Sequence, residues 1–180
     1  MFKHKILARH FFALLIVTFL AGCQNSLPTL YRDGIPGTAN WGVLPFVNSS
    51  GAESVNIQVE RMLMVMLPSA GVDEPRLYPE SAVTTASDSL ADAHKLRNAR
   101  QWALQNNVNF AFSGSVNEWK YDSSGRPRVA VSLKVTDIRT GDEAWNISGA
   151  SEGLAGDDLH DVCRGLIADL LKSLPVQRRL

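Results

Sequence analysis

The chain has 180 residues, with 18 lysines and arginines against 18 aspartates and glutamates, and two cysteines. Balanced charge leaves no electrostatic footprint for nucleic acid. The length suits one hydrophobic core and not two.

Residues 1–22 read as an export leader rather than as part of the fold. Lys3, Lys5 and Arg9 make a basic start. The apolar run from Phe11 to Leu20 has signal-peptide length and is too short to cross a bilayer as a stable helix. It ends in Leu20-Ala21-Gly22-Cys23, which looks like a bacterial lipobox: small residues fit the cleavage site and present the thiol for acylation. Cys23 is therefore expected to be the lipidated (palmitate-carrying) mature N-terminus. Gln24 follows it, where an Asp would direct retention at the inner membrane, so the outer membrane is favoured. With Cys23 acylated, Cys163 stands alone and no internal disulfide is available even in an oxidising compartment. Loss of the leader removes three basic residues and leaves 15 against 18 acidic ones, a net charge of −3. That balance is compatible with a cationic partner.

Residues 23–39 are rich in Pro, Gly and Asn, show no periodicity, and read as a lipid-anchored tether. Residues 40–180 read as a single periplasmic domain. Its first strand covers residues 40–47, and Pro45 marks it as an edge strand or one that ends early. Asn48-Ser49-Ser50-Gly51 breaks the chain before a helix over residues 53–67. Val55, Val59, Met62, Leu63 and Met66 form its stripe. Met64, Val65 and Leu67 add apolar surface elsewhere, so this helix is expected to be covered on more than one side, by its own domain or by a neighbour. Pro68 and Gly71 stop it.

Arg76-Leu77-Tyr78 is a short strand ended by Pro79, and residues 80–88 are a polar loop. Ser89 caps a second helix from Leu90 to about Gln105, with Leu96, Ala99 and Ala103 inward and Trp102 on a flank. Three strands follow, over residues 108–121, 128–138 and 143–150. Phe110, Phe112 and Val116, then Val129, Val131, Leu133 and Val135, then Trp145 and Ile147 share one face. Ser113, Ser115 and Asn117, then Ser132, Lys134 and Thr136, then Asn146 and Ser148 share the other. This is the pattern of an antiparallel meander covered on one side. Gly125 and Gly141 serve the two hairpin turns. Trp119 and Tyr121 break the alternation. Either a bulge returns them to the core, or they form a contact surface for another subunit. A third helix starts at Asp157 or Asp158 and runs along Leu159, Val162, Cys163, Leu166, Ile167, Leu170 and Leu171, where Cys163 is a small core residue. Pro175 stops it. The order gives an α/β (α+β) sandwich: a mixed sheet with the meander in it and helices packed on one face.

No catalytic constellation is present. His94 and His160 lack metal-ligand spacing, Gly114-Ser115-Val116 is not a nucleophile elbow, and no glycine loop cradles phosphate. The expectation is a non-enzymatic chain with no cofactor and no metal.

Gly114–Tyr121, Gly125–Val135, Ala144–Ala150, the early Leu44-Pro45-Phe46-Val47-Asn48 and the lipobox together resemble the PelC family, outer-membrane lipoproteins of the Pel exopolysaccharide secretion system. The resemblance implies a homo-oligomer, a dodecameric ring beneath the outer membrane. Its electronegative funnel would guide a cationic exopolysaccharide (Pel, of the biofilm matrix) to the porin PelB. It also implies a fold like those of curli secretion lipoproteins and of regulatory lipoproteins that bind peptidoglycan synthases, which are the alternative functions. A curli-type channel needs spare strands for a barrel, and none is spare. The short tether favours a domain held close to the membrane over a far-reaching synthase regulator.

Under this reading Glu118, Asp122, Asp142 and Glu143 are the preferred funnel residues, because they ride on a rigid sheet; Asp157, Asp158 and Asp161 are the second set. Trp119 and Tyr121 are subunit-contact candidates. The resemblance puts an aromatic membrane contact in residues 151–156, where this chain has only Leu154.

Overall fold

The computed structural model describes Tyr31 and residues 33–79 and 89–177. The leader, Cys23, the 80–88 loop and the Arg178-Arg179 tail lie outside the described residues. In chain order the elements are β1 (Ile35–Pro36), β2 (Trp41–Asn48), α1 (Val55–Met66) with a 3-10 turn at Leu67–Ala70, β3 (Arg76–Leu77), α2 (Ser89–Gln105), β4 (Phe110–Tyr121), β5 (Pro127–Asp137), β6 (Glu143–Glu152), α3 (Leu159–Leu171) and β7 (Val176–Gln177). Five strands form one mixed sheet in the order β3-β2-β4-β5-β6, with β2 parallel to both its neighbours and the meander antiparallel. The fold is the α/β sandwich expected from the element order.

β5 sits between β4 and β6, and its Val129, Val131, Leu133 and Val135 are all buried on one face. Across it lie Phe112 and Val116 of β4 and Trp145 of β6. Trp41 stacks on Phe112 with ring centroids 5.4 Å apart, and Phe112 meets Trp145 edge-on. Two helices close this face. α1 contributes Val55, Val59 and Leu63; α3 contributes Cys163, Leu166, Ile167, Leu170 and Leu171. Gly149 lets α3 approach, because a Cβ there would lie 2.9 Å from Leu170 Cδ2. Burial pushes the Cys163 thiol up to about 12, so this cysteine is an inert core residue.

The expectation that all helices share one face is corrected for α2. Ala99 and Ala103 pack with Leu44, Val108, Ala111 and Ile138 in a separate small cluster on the opposite side of the sheet. Leu44 and Ala111 alternate with the core-facing Val43, Phe110 and Phe112, so they point away from α1 and α3 and need their own cover. The position of β2 also differs. It is interior where β3 flanks Gly42 and Val43, and its outer side is open from Leu44 onward. Pro45 lies in that open part, within a break in the β2–β4 register. α1 closes it with side chains: the Glu60 carboxylate accepts the Phe46 N–H at 2.8 Å, and Asn56 Nδ2 donates to the Phe46 carbonyl.

The boundary of the packed domain moves upstream. Residues 33–39, placed in the tether by their composition, are docked. Ile35 is fully buried, and β1 pairs in parallel with β7. Tyr31 is buried against Phe110 and donates its hydroxyl proton to Asp137 at 2.7 Å.

Candidate functional site

A β-bulge decides the fate of the aromatic pair. Val116 faces Val131, but the next pairing is Glu118 with Ala130, so Asn117 is the extra residue. The one-residue insertion flips Trp119 onto the core side, where it pairs with Val129 and is 8% exposed. Its ring meets His160 edge-on at 5.1 Å. Tyr121 follows on the same side, half exposed, with its hydroxyl near the Asp157 carbonyl. Trp119 is thus a core residue of this chain, and Tyr121 alone of the pair offers surface.

The same bulge turns Glu118 to the polar face, at the hairpin end of the sheet. There Glu118, Asp122 and Glu152 alternate with Lys120, Arg126 and Arg128. Lys120 Nζ lies 2.9 Å from Glu118, Arg126 contacts Asp122 at 3.0 Å and Glu152 at 2.6 Å, and Arg128 lies 3.6 Å from Glu152. The hydrogen bond from Lys120 holds the Glu118 carboxyl below its ordinary range. Asp122 is held low by the Arg126 and Ser124 N–H groups that it accepts, so it also caps the turn. Three acids facing three cations give a locally neutral surface.

Asp142 and Glu143 lie at the other hairpin. Glu143 pairs with Thr136 of β5, whereas Glu118 pairs with Ala130, which is about 20 Å of strand away at ~3.4 Å per residue. The first set of four candidates is therefore split between opposite ends of the sheet. Glu143 is hydrogen-bonded by Asn146, and both it and Asp142 are exposed.

The second set is contiguous. Asp157, Asp158 and Asp161 cluster where β6 passes into α3. Asp158 caps the helix by accepting the His160 N–H at 2.7 Å, and that bond holds its carboxyl low. Asp157 accepts the Leu154 N–H at 2.7 Å and so shapes the loop. Asp161 pairs with Arg164 at 2.8 Å on an open surface. Leu154 stands out of this loop, 75% exposed. His160 bridges to α1 through Gln58.

The polar face of the sheet carries a bonded row that spans three strands. Ser115 Oγ donates to Asn117, Asn117 Nδ2 to Ser132, and Ser148 Oγ to Ser132, at 2.9, 3.0 and 2.9 Å. Beside it an open groove of about 610 Å³ runs between the sheet and α2, with Ser113, Lys134 and Arg100 in its wall. Among the described residues, no group of His, Cys, Asp and Glu is arranged to hold a metal ion.

No family model matches the chain, and no curated protein sequence does. Solved structures do. A PelC dodecamer from Paraburkholderia phytofirmans superposes with a TM-score of 0.67 at 23% identity, over 80% of this chain and 92% of that one. A methionine-substituted PelC dodecamer from the same organism gives 0.68 at 24%, over 87% and 97%. Lipoprotein GNA1162 from Neisseria meningitidis gives 0.52 at 16%, over 74% and 96%. This chain has the fold of the PelC subunit.

Proposed function

We propose that this chain is a non-enzymatic lipoprotein of the outer membrane that assembles into a periplasmic ring. Cys23 carries the lipid anchor. The ring guides a cationic exopolysaccharide, of the Pel type found in biofilm matrix, towards an outer-membrane porin, PelB. The observation that carries this reading is the PelC-like fold over 80–87% of the chain. The lipobox at Leu20–Cys23 supports the anchor and the compartment.

The ring works by field rather than by bond-making. One exposed carboxylate is screened within about 8 Å at physiological salt and holds a cation weakly. Copies of it around a lumen sum their potentials, and low-dielectric walls focus the field. A mobile polycation is then concentrated without a tight site that would stall it. Asp157, Asp158 and Asp161 suit this role better than Glu118 and Asp122: one arginine, Arg164, offsets Asp161 in the first group, whereas Lys120, Arg126 and Arg128 crowd the two acids of the second. Asp142 and Glu143 supply a second rim at the far end. Leu154 contacts the membrane and Tyr121 a neighbouring subunit.

Replacing Asp157, Asp158 and Asp161 by Asn keeps the cap and the loop hydrogen bonds while removing charge. In cells lacking the native gene, this variant should fold and assemble but secrete less polysaccharide. Secretion that survives neutralisation of all seven candidate acids would reduce the ring to a scaffold.

A further inference from the structure

The groove of about 610 Å³ between α2 and the polar face of the sheet has a floor of donors without partners. In the register of the meander Ser113 of β4 faces Lys134 of β5, and Thr136 lies two residues further along the same face. Arg100 of α2 closes the end. Its guanidinium fills the space that a side chain on Gly141 would take: a Cβ there would lie 2.7 Å from Arg100 Nη2. The β5–β6 turn thus leaves room for this cation over the groove. Among the described residues, no carboxylate pairs with Arg100 or Lys134, and no hydrogen bond reaches the Ser113 or Thr136 hydroxyl. At the opposite hairpin, by contrast, Lys120, Arg126 and Arg128 are each matched with an acid. Glu143, the acid in the groove wall, is engaged by Asn146.

We propose that this groove binds an acidic peptide segment of a partner protein in extended form. Two free cations beside two free hydroxyls present donors, and the charge-assisted partner of such a set is a carboxylate. The same cations repel a polycation, so the groove is not a further subsite for the exopolysaccharide, and the inference stands apart from the ring reading. A peptide fits better than an acidic glycan. Among the described residues, no aromatic ring lines the groove to stack on a sugar, whereas Val47 and Leu96, both half-buried, offer apolar contact to alternate side chains. From Ser132 to Thr136 the floor runs about 14 Å at ~3.4 Å per residue, the length of about four extended residues.

The test uses the full lipidated protein in mild detergent and reads the fluorescence anisotropy of a short, labelled, capped peptide alternating leucine and glutamate. This peptide should bind more tightly than its leucine–glutamine counterpart by about tenfold or more. The double variant Arg100→Gln, Lys134→Gln, at two exposed positions, should keep its melting temperature and lose that preference. Arg61→Gln, at an exposed cation of α1 on the other side of the sheet, should leave the preference unchanged. Equal binding of the two peptides, or a preference that survives the double variant, overturns the groove assignment. Oligogalacturonate that binds through the same two cations where the glutamate peptide does not overturns the peptide and makes the occupant an acidic glycan. Native mass of the same samples reads the ring separately, so a failure here leaves the ring reading standing.

Discussion

Tyr31 and Asp137, 106 positions apart in sequence, close the start of the domain onto the end of β5. Burial pushes the Tyr31 hydroxyl up to about 12, and its hydrogen bond to Asp137 adds to the rise. Burial also raises the Asp137 carboxyl, but the bonds from Tyr31, Thr140 and Arg139 outweigh it, and the net shift is downward. The signs differ. The raised tyrosine contributes stability that is full below pH ~10 and lost as pH climbs towards about 12. The lowered aspartate contributes stability that is present above pH ~3.9 and lost as pH falls below it. Tyr31→Phe should cost ~1–3 kcal/mol at neutral pH and flatten the alkaline loss, read from melting curves at neutral and alkaline pH. Trp119→Ala should cost ~3–5 kcal/mol of stability and lower the melting temperature even for the dilute protomer, because the ring is core. A loss of assembly with unchanged melting would contradict that burial. The core position of Trp119 was legible only as one of two readings of the broken alternation, and the role of Tyr31 not at all. A bulge leaves no mark in the alternation except the misplaced aromatic itself, and a single tyrosine among Pro, Gly and Asn carries no periodic signal.

At the level of elements, periodicity was sufficient where one face is buried and the other wet. β4, β5, β6, α1 and α3 all lie close to the expected spans for this reason. It failed where pairing is short or distant. β1 and β7 have two residues each and pair across nearly the whole length of the domain, Ile35 with Val176, so composition made β1 look like linker. α2 has small inward residues, Ala99 and Ala103, which mark a face but not which side of the sheet it covers. Two glycines give a graded test of the sheet. A Cβ at Gly114 would stand 2.0 Å from the Ser132 carbonyl oxygen, which is backbone in the next strand and cannot yield. At Gly149 it would meet the mobile end of Leu170 at 2.9 Å. Gly114→Ala should cost ~3 kcal/mol or more, and Gly149→Ala ~1 kcal/mol or less, by chemical denaturation. Equal costs would mean that β4 and β5 are not as close as described.

For the whole molecule, the candidate acids were readable as residue types but not as a set, since only the register shows that Glu118 and Glu143 lie at opposite ends. The same register constrains the membrane. Tyr31 docks beside Asp137, while the Leu154 loop follows Ser151, which pairs with Val129 at the other end of β5. Those ends are about 27 Å apart at ~3.4 Å per residue. Seven residues separate Cys23 from Tyr31. At full extension they bridge about 28 Å. In the proposed anchoring, lipid on Cys23 and Leu154 would therefore meet one membrane with almost no slack. Deleting four residues from 24–30 should abolish protection of Leu154 by lipid while leaving the protein anchored, and Cys23→Ala should release it from the membrane fraction altogether. The central claim is that the anchored chain closes into a ring, and native mass of the lipidated protein extracted from outer membranes tests it most directly. The account predicts a single closed species near twelve copies; a monomer at all concentrations, or an open series of sizes, would contradict it.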